Sequence, residues 1–261
     1  MSSSVTRVFT IASATYKESM RSKILYSVLV FAILIVSISA LFGSVTIGDQ
    51  SKVIKDFGLF ALSLFSILYC VISGSTLLHK ELARKTIYNV LSKPVRRWEF
   101  LVGKFFGMFA MTFSLLAIMG IAFSGFVFLF DRSFSPELFQ GYFHILLELL
   151  IVCGAVILFS SIVVTPLLIG LFSFGLFLAG RSLDLLLYFI EEEMVTGFGV
   201  YIIKGFYWVL PQLNTININD ALVYQLELSP LISLWSLLYS VAYTTMLLLL
   251  AAKIFERRQF Q

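Results

Sequence analysis

From Phe143 to Gly180 the chain stays apolar for 38 residues, apart from His144, Glu148 and a few hydroxyl side chains. At the rise of an α-helix this run would measure roughly 57 Å, almost twice the thickness of a bilayer's hydrocarbon core. It must fold back on itself. Ser160, Ser161, Thr165 and Pro166 mark the turn, because proline disfavours helix at the residue before it. This predicts two antiparallel spans, at 143–163 and 166–180, with the second reaching 190 if its amphipathic continuation extends it.

The rest of the chain has the same character. It is 59% hydrophobic, 16% aromatic and 13% charged, with a mean hydropathy of +0.95. Soluble domains average about 45–50% apolar and about 25% charged residues. An all-α integral membrane protein follows, and 1–261 reads as a single membrane domain because no polar stretch is long enough for a separate soluble one. Further spans fall at 24–42, 57–78, 105–130 and 231–252, making six. The run at 24–42 is long for the core of a cleavable signal and lacks a clear cleavage site. Before it, Val5, Phe9, Ala12, Tyr16 and Met20 recur at helical spacing while Arg7, Lys17, Glu18, Arg21 and Lys23 occupy other positions, the pattern of a helix lying in the membrane interface. Cys70 and Cys153 both fall inside apolar runs and read as buried, reduced thiols.

Charge orients these spans. Residues 79–104 hold seven of the nineteen Lys and Arg residues against Glu81 and Glu99, a net +5; the first 23 residues carry +3 and the tail from Lys253 carries +2. Everything else holds 5 basic and 11 acidic residues. Six spans put all three positive segments on one face, which the positive-inside rule makes cytosolic, in a cytoplasmic (inner) membrane with both termini inside. Basic residues clustered beside spans rather than along a polar face point to membrane lipid and not to nucleic acid.

Catalytic patterns are missing. Gly103-Lys104 ends like a phosphate loop, but Trp98 stands where glycine is needed and Phe105 where Ser or Thr would hold magnesium. The only histidines are His79 and His144, without metal-ligand spacing, and no G-x-S-x-G marks a nucleophile. Glu148 is the one acid well inside a span, roughly 8 Å from its outer end by helical rise. An intramembrane carboxylate is a functional candidate. Glu148 reaches the interface, pairs with His144 four residues earlier, or stays protonated; with His144 it makes a candidate transport path. Between the fifth and sixth spans, Gly197 to Leu213 is apolar and aromatic, yet interrupted by glycine, split by Lys204 and ended by Pro211. Such a segment lies in the interface or re-enters rather than spans.

Glu81, Thr86, Leu91, Lys93-Pro94-Val95, Arg97, Phe100 and Gly103-Lys104 resemble the E...T...L.KPV.R..F..GK pattern of ABC-2 type permease subunits, the six-span exporter fold. Tyr16-Lys17-Glu18 with Arg21, Leu210-Pro211-Gln212-Leu213 with Asn217, and the closing Ile254-Phe255-Glu256-Arg257-Arg258-Gln259-Phe260 are similar to further elements of that family. Lys85 departs from it, since many members have glycine there. Within the family the wording is closest to permeases of nitrous-oxide-reductase maturation and of multidrug or sodium export. The resemblance implies a homodimer or pseudodimer of permeases served by two cytosolic ATPase subunits, which hold the ATP and magnesium; this chain has no cofactor and is not itself an enzyme. It implies a cytosolic coupling helix between spans two and three, with Glu81, Arg84, Lys85, Thr86, Lys93, Pro94 and Arg97 facing the ATPase. A second contact comes from the N-terminal helix through Lys17, Glu18 and Arg21. Residues 181–213 become short extracytoplasmic or re-entrant helices at the exit, with Tyr207, Trp208, Pro211 and, just beyond them, Asn217. Two other readings stand beside this one: a non-transporting membrane anchor that recruits an ATPase for mechanical work, and an intramembrane enzyme using Glu148, His144 and a serine. The substrate does not carry over.

Overall fold

The computed structural model describes residues 4–23, 25–30, 33–34, 37–38, 50–83, 96–132, 135–192, 194, 197–223 and 230–257. Among these, all regular structure is helical. In chain order the elements are α1 (Ser4–Met20), α2 (Gln50–Ala83), α3 (Arg97–Asp131), α4 (Glu137–Ile162), α5 (Pro166–Arg181), α6 (Leu183–Glu191), α7 (Phe198–Val209), α8 (Leu213–Ile216), α9 (Asn219–Val223) and α10 (Pro230–Arg257). Helices α2, α3, α4 and α10 are long and apolar enough to cross a membrane; α5 and α6, bent by 50° where they meet, make a fifth candidate if taken as one span. The expected first span, 24–42, is described only in part, with 24, 31–32, 35–36 and 39–42 outside the described residues. Those described within it include helical 25–30, and Leu29, Ile33 and Ser37 line a groove against α3 at the spacing of one helix face.

The predicted turn is borne out: Ile162 ends α4, Val163 is extended, and Pro166 opens α5. Ser160 and Ser161 belong to the last turn of α4, where their hydroxyls donate to the carbonyls of Val156 and Leu158, both at 2.6 Å. The helices run past the apolar stretches that announced them: α2, α3 and α4 begin seven, eight and six residues earlier. Apolarity marks where a helix crosses hydrocarbon, whereas its backbone bonding continues until something caps it. At the far end of α3 the cap is Arg132, left-handed at φ 51°, whose N–H meets the Phe128 carbonyl.

Helix α4 is the central post. In its most apolar stretch 72% of residues are buried, against 22% in α10, so α4 is apolar all round while α10 turns Trp235, Leu238 and Leu249 outward. Paired residues give the directions. Ser63 meets Glu148 and Cys70 meets Cys153, so α2 and α4 run parallel; Gly58 faces Phe123 and Gly74 faces Met108, so α3 runs antiparallel to α2.

Helix α1, expected to lie in the membrane interface, packs lengthwise on α3. Arg7 holds Glu99 through two bonds, Nη2 to Oε1 at 2.7 Å and Nε to Oε2 at 3.0 Å; Ile11 lies over Gly103, Thr15 over Gly107, and the Tyr16 hydroxyl is 3.2 Å from that of Ser114. Both numbers of each pair rise together, so α1 lies along α3 in the same direction. Only part of the apolar stripe packs, through Ala12 and Tyr16. Thr15 and Ser19 are buried, while Val5 and Phe9 are 76% and 73% exposed. Small side chains decide the matter: a Cβ on Gly107 would stand 2.6 Å from the Ala12 carbonyl oxygen, so the backbones touch where bulky residues would hold them apart. The end of α1 is tied to α2 by the Tyr69 hydroxyl, which donates to the Ser19 carbonyl at 3.3 Å. Tyr69→Phe is expected to cost about 0.5–1.5 kcal/mol, the worth of one such bond, read as a lowered Tm in detergent.

Candidate functional site

Gln140, His144 and Glu148 stand four residues apart and so share one face of α4. Burial of such groups in an apolar bundle is costly unless each is satisfied. His144 is met from two sides, with Nδ1 2.6 Å from the Ile216 carbonyl oxygen and Nε2 3.1 Å from Ser233 Oγ. A carbonyl only accepts, so Nδ1 carries a proton and Nε2 takes one from the Ser233 hydroxyl in the neutral ring. Ser233 in turn accepts from the Gln140 amide at 3.5 Å. One turn deeper, Glu148 is 1% exposed. Its Oε2 accepts from Ser63 of α2 at 3.1 Å and lies 3.7 Å from Arg181 Nη1; the same guanidinium nitrogen donates to Ser63 at 3.1 Å. The Asn217 side chain also reaches this carboxyl. Its own Oδ1 takes the Asn219 N–H at 2.9 Å, which leaves the amide nitrogen for Glu148. Oε1 of Glu148 is buried without a hydrogen-bond partner of standard geometry.

The cluster therefore gathers α2, α4, the end of α5, the residues after α8 and the start of α10. Gly180 makes the seat for α8, since a Cβ there would stand 2.5 Å from the Pro211 carbonyl oxygen. Tyr239 and Tyr243 of α10 hold the approach, one accepting from the Gln212 N–H and one donating to the Val209 carbonyl, each at 2.9 Å. Asn214 donates to Asp184, which ties α8 to α6.

A second arrangement lies at the end of the bundle where α3 begins and α10 stops. Arg97 Nη1 donates to the carbonyls of Phe255 and Glu256 at 3.1 and 2.9 Å, a cation placed on the negative end of α10. Phe100 stacks on Phe255 with centroids 6.2 Å apart, and Lys104 Nζ lies 5.8 Å above the Phe100 ring. The neighbouring Glu99, fully buried, raises the pKa of the Arg7 guanidinium through their hydrogen bond. Residues Arg97, Phe100, Gly103 and Lys104 thus join α1, α3 and α10 at one end. Lys17 and Glu18 on α1 and Arg21 just past its end are exposed. Arg84, Lys85, Thr86, Lys93 and Pro94, expected to face an ATPase, lie outside the described residues, as does the side chain of Glu81.

No protein-family model matches this chain. No curated protein matches it either.

Glu148, His144 and Asn217 are brought together. Of the alternatives open to Glu148, pairing with His144 is not the one made: His144 turns to Ile216 and Ser233, and Glu148 turns to Ser63 and Arg181. Glu148 is also deeper than its place in the apolar run implied. Eleven residues separate it from the start of α4 at Glu137, about 16 Å of helix. Pro211 is buried beside Gly180, whereas Trp208 is 84% exposed and Tyr207 half-buried on α7, a helix with no buried residue. Arg181, Ser63, Ser233 and Gln140 were not singled out in advance. For Arg181 a signal existed. Glu148 and Arg181 stand sixteen and seventeen residues either side of Val164, in the turn, and a helical hairpin brings such positions level.

Proposed function

We propose that this chain is the permease subunit of an ATP-driven exporter of the ABC-2 type, in a cytoplasmic membrane with both termini in the cytosol. Two ATPase subunits hold ATP and magnesium against the basic segment between α2 and α3, and a second permease copy completes the pathway. The observation that carries this reading is the Glu148 cluster. It is polar, buried at mid-helix, and wired to both the long helices and the short ones. Ser63 of α2 touches Glu148, and α2 continues for twenty residues, about 30 Å, to Ala83 at the edge of the basic segment. A push on that segment travels along α2 as a rigid rod and arrives at the contact that holds Glu148, Arg181 and Asn217 together. Separation of these groups frees α8 and α9 and opens the end of the bundle opposite the basic segment, a rigid-body transition driven by nucleotide-dependent contacts.

The test is reconstitution of the complex with its ATPase. Glu81→Ala with Arg84→Ala is expected to leave the protein in the membrane while ATP hydrolysis no longer responds to substrate. Unchanged substrate-stimulated hydrolysis in that variant would sink the assignment. A transport assay on the same vesicles separates an exporter from an anchor that borrows the ATPase for mechanical work.

A further inference from the structure

Cys70 of α2 and Cys153 of α4 are both completely buried, and their sulfur atoms lie 3.1 Å apart. Both are buried, reduced thiols, and the parallel packing of α2 on α4 makes them a pair. We propose that Cys70 and Cys153 form an oxidisable dithiol, closed to an interhelical disulfide by hydroperoxides dissolved in the membrane.

Closing the bond needs a movement of only about 1 Å, from the present separation to the roughly 2.05 Å of a disulfide. Both sulfurs sit where the helices approach closely: one turn on, a Cβ at Gly74 would stand 3.6 Å from Val156 Cβ, a separation within the range that disulfides span. The surroundings select the oxidant. Charged reagents are excluded from thiols buried in hydrocarbon, whereas an organic hydroperoxide partitions into it.

The chemistry balances in two steps. The Cys70 sulfur attacks the hydroperoxide, the O–O bond breaks, Cys70 becomes a sulfenic acid, and its thiol proton leaves with the other oxygen as an alcohol. Cys153 sulfur then attacks the sulfenic sulfur, the S–S bond forms, and the hydroxyl departs with the Cys153 proton as water. Thr112 lies on the Cys153 side of the pair, its Oγ1 3.8 Å from that sulfur; its own proton goes to the backbone carbonyls of Met108 and Phe109, so its oxygen faces the thiol as an acceptor. The resulting cross-link pins α2 to α4 between the Ser63–Glu148 contact and the basic segment.

The full-length protein in its native membrane is exposed to cumene hydroperoxide, alkylated, and weighed intact. The wild type is expected to lose two hydrogen atoms in mass, to lose both thiols to labelling together, and to regain both after dithiothreitol. Cys153→Ala is expected instead to gain one oxygen at its remaining thiol. The proposal is overturned if the wild type keeps two labelled thiols at a peroxide dose that consumes both in the SDS-denatured chain. It is equally overturned if the wild type gains oxygen without losing hydrogen, or cross-links to a second chain. None of these readouts depends on ATPase partners or transport.

Discussion

Arg181→Ala is expected to destabilise the protein by about 3–5 kcal/mol, the cost of leaving one member of a buried ion pair without its partner. Glu148 is 1% exposed at the centre of the bundle, and the guanidinium supplies both the countercharge at 3.7 Å and the bond at 3.1 Å that orients Ser63 toward it. Removing Arg181 strands the carboxylate where neither water nor lipid solvates it. The measurement is thermal unfolding in detergent across a double-mutant cycle. Glu148→Gln combined with Arg181→Ala is expected to lose much less than Arg181→Ala alone, because a neutral amide still accepts from Ser63 and needs no countercharge. If Arg181→Ala costs under about 1 kcal/mol, or the double variant is as unstable as the sum of the singles, the pair does not stabilise the bundle.

Gly180→Ala carries the second large effect. The added methyl stands 2.5 Å from the Pro211 carbonyl oxygen and tighter than ordinary van der Waals contact to Leu213, whose Cγ would be 3.1 Å away. The obstacle is backbone on one side and a fully buried side chain on the other, so the segment 210–216 has to move as a body. Overpacking of this kind costs about 1–3 kcal/mol. The Ile216 carbonyl leaves His144 with it, so amide hydrogen exchange over 211–219 is expected to rise several-fold while α2 and α3 keep their protection. Exchange that rises everywhere alike would mean general loosening, and exchange that does not change would mean that Gly180 is not the seat of α8.

Sequence and structure agree most closely where one physical rule suffices. Bilayer thickness and a proline demanded the hairpin at Val163 to Pro166, and α4 and α5 meet there. Glu148 and His144 stood out because polar groups in apolar runs are few. Their partners did not, because a partner across helices depends on the rotation and register of both, and apolar stretches such as α3 and α4 are hydrophobic all round and leave no periodic signal to fix either. The stripe on α1 is silent on packing for a related reason: apolar residues in a membrane protein are as much at home facing lipid as facing protein, and here Ala12 and Tyr16 meet α3 while Val5 and Phe9 face outward.

The sequence by itself determined that this is a helical membrane chain with basic segments set against its spans, that one run folds back at Pro166, and that familiar nucleotide, metal and nucleophile patterns are missing. Those follow from quantities summed along the chain: hydrocarbon thickness, charge, and motif spacing. Only the tertiary structure decided that Glu148 belongs to Arg181 and Ser63, that α1 rests on Gly103 and Gly107, that Arg97 caps α10, and that Cys70 faces Cys153. These are settled by how closely backbones approach at small residues and by the demand that each buried polar group find a partner. Both act between helices, so neither is written along a single one.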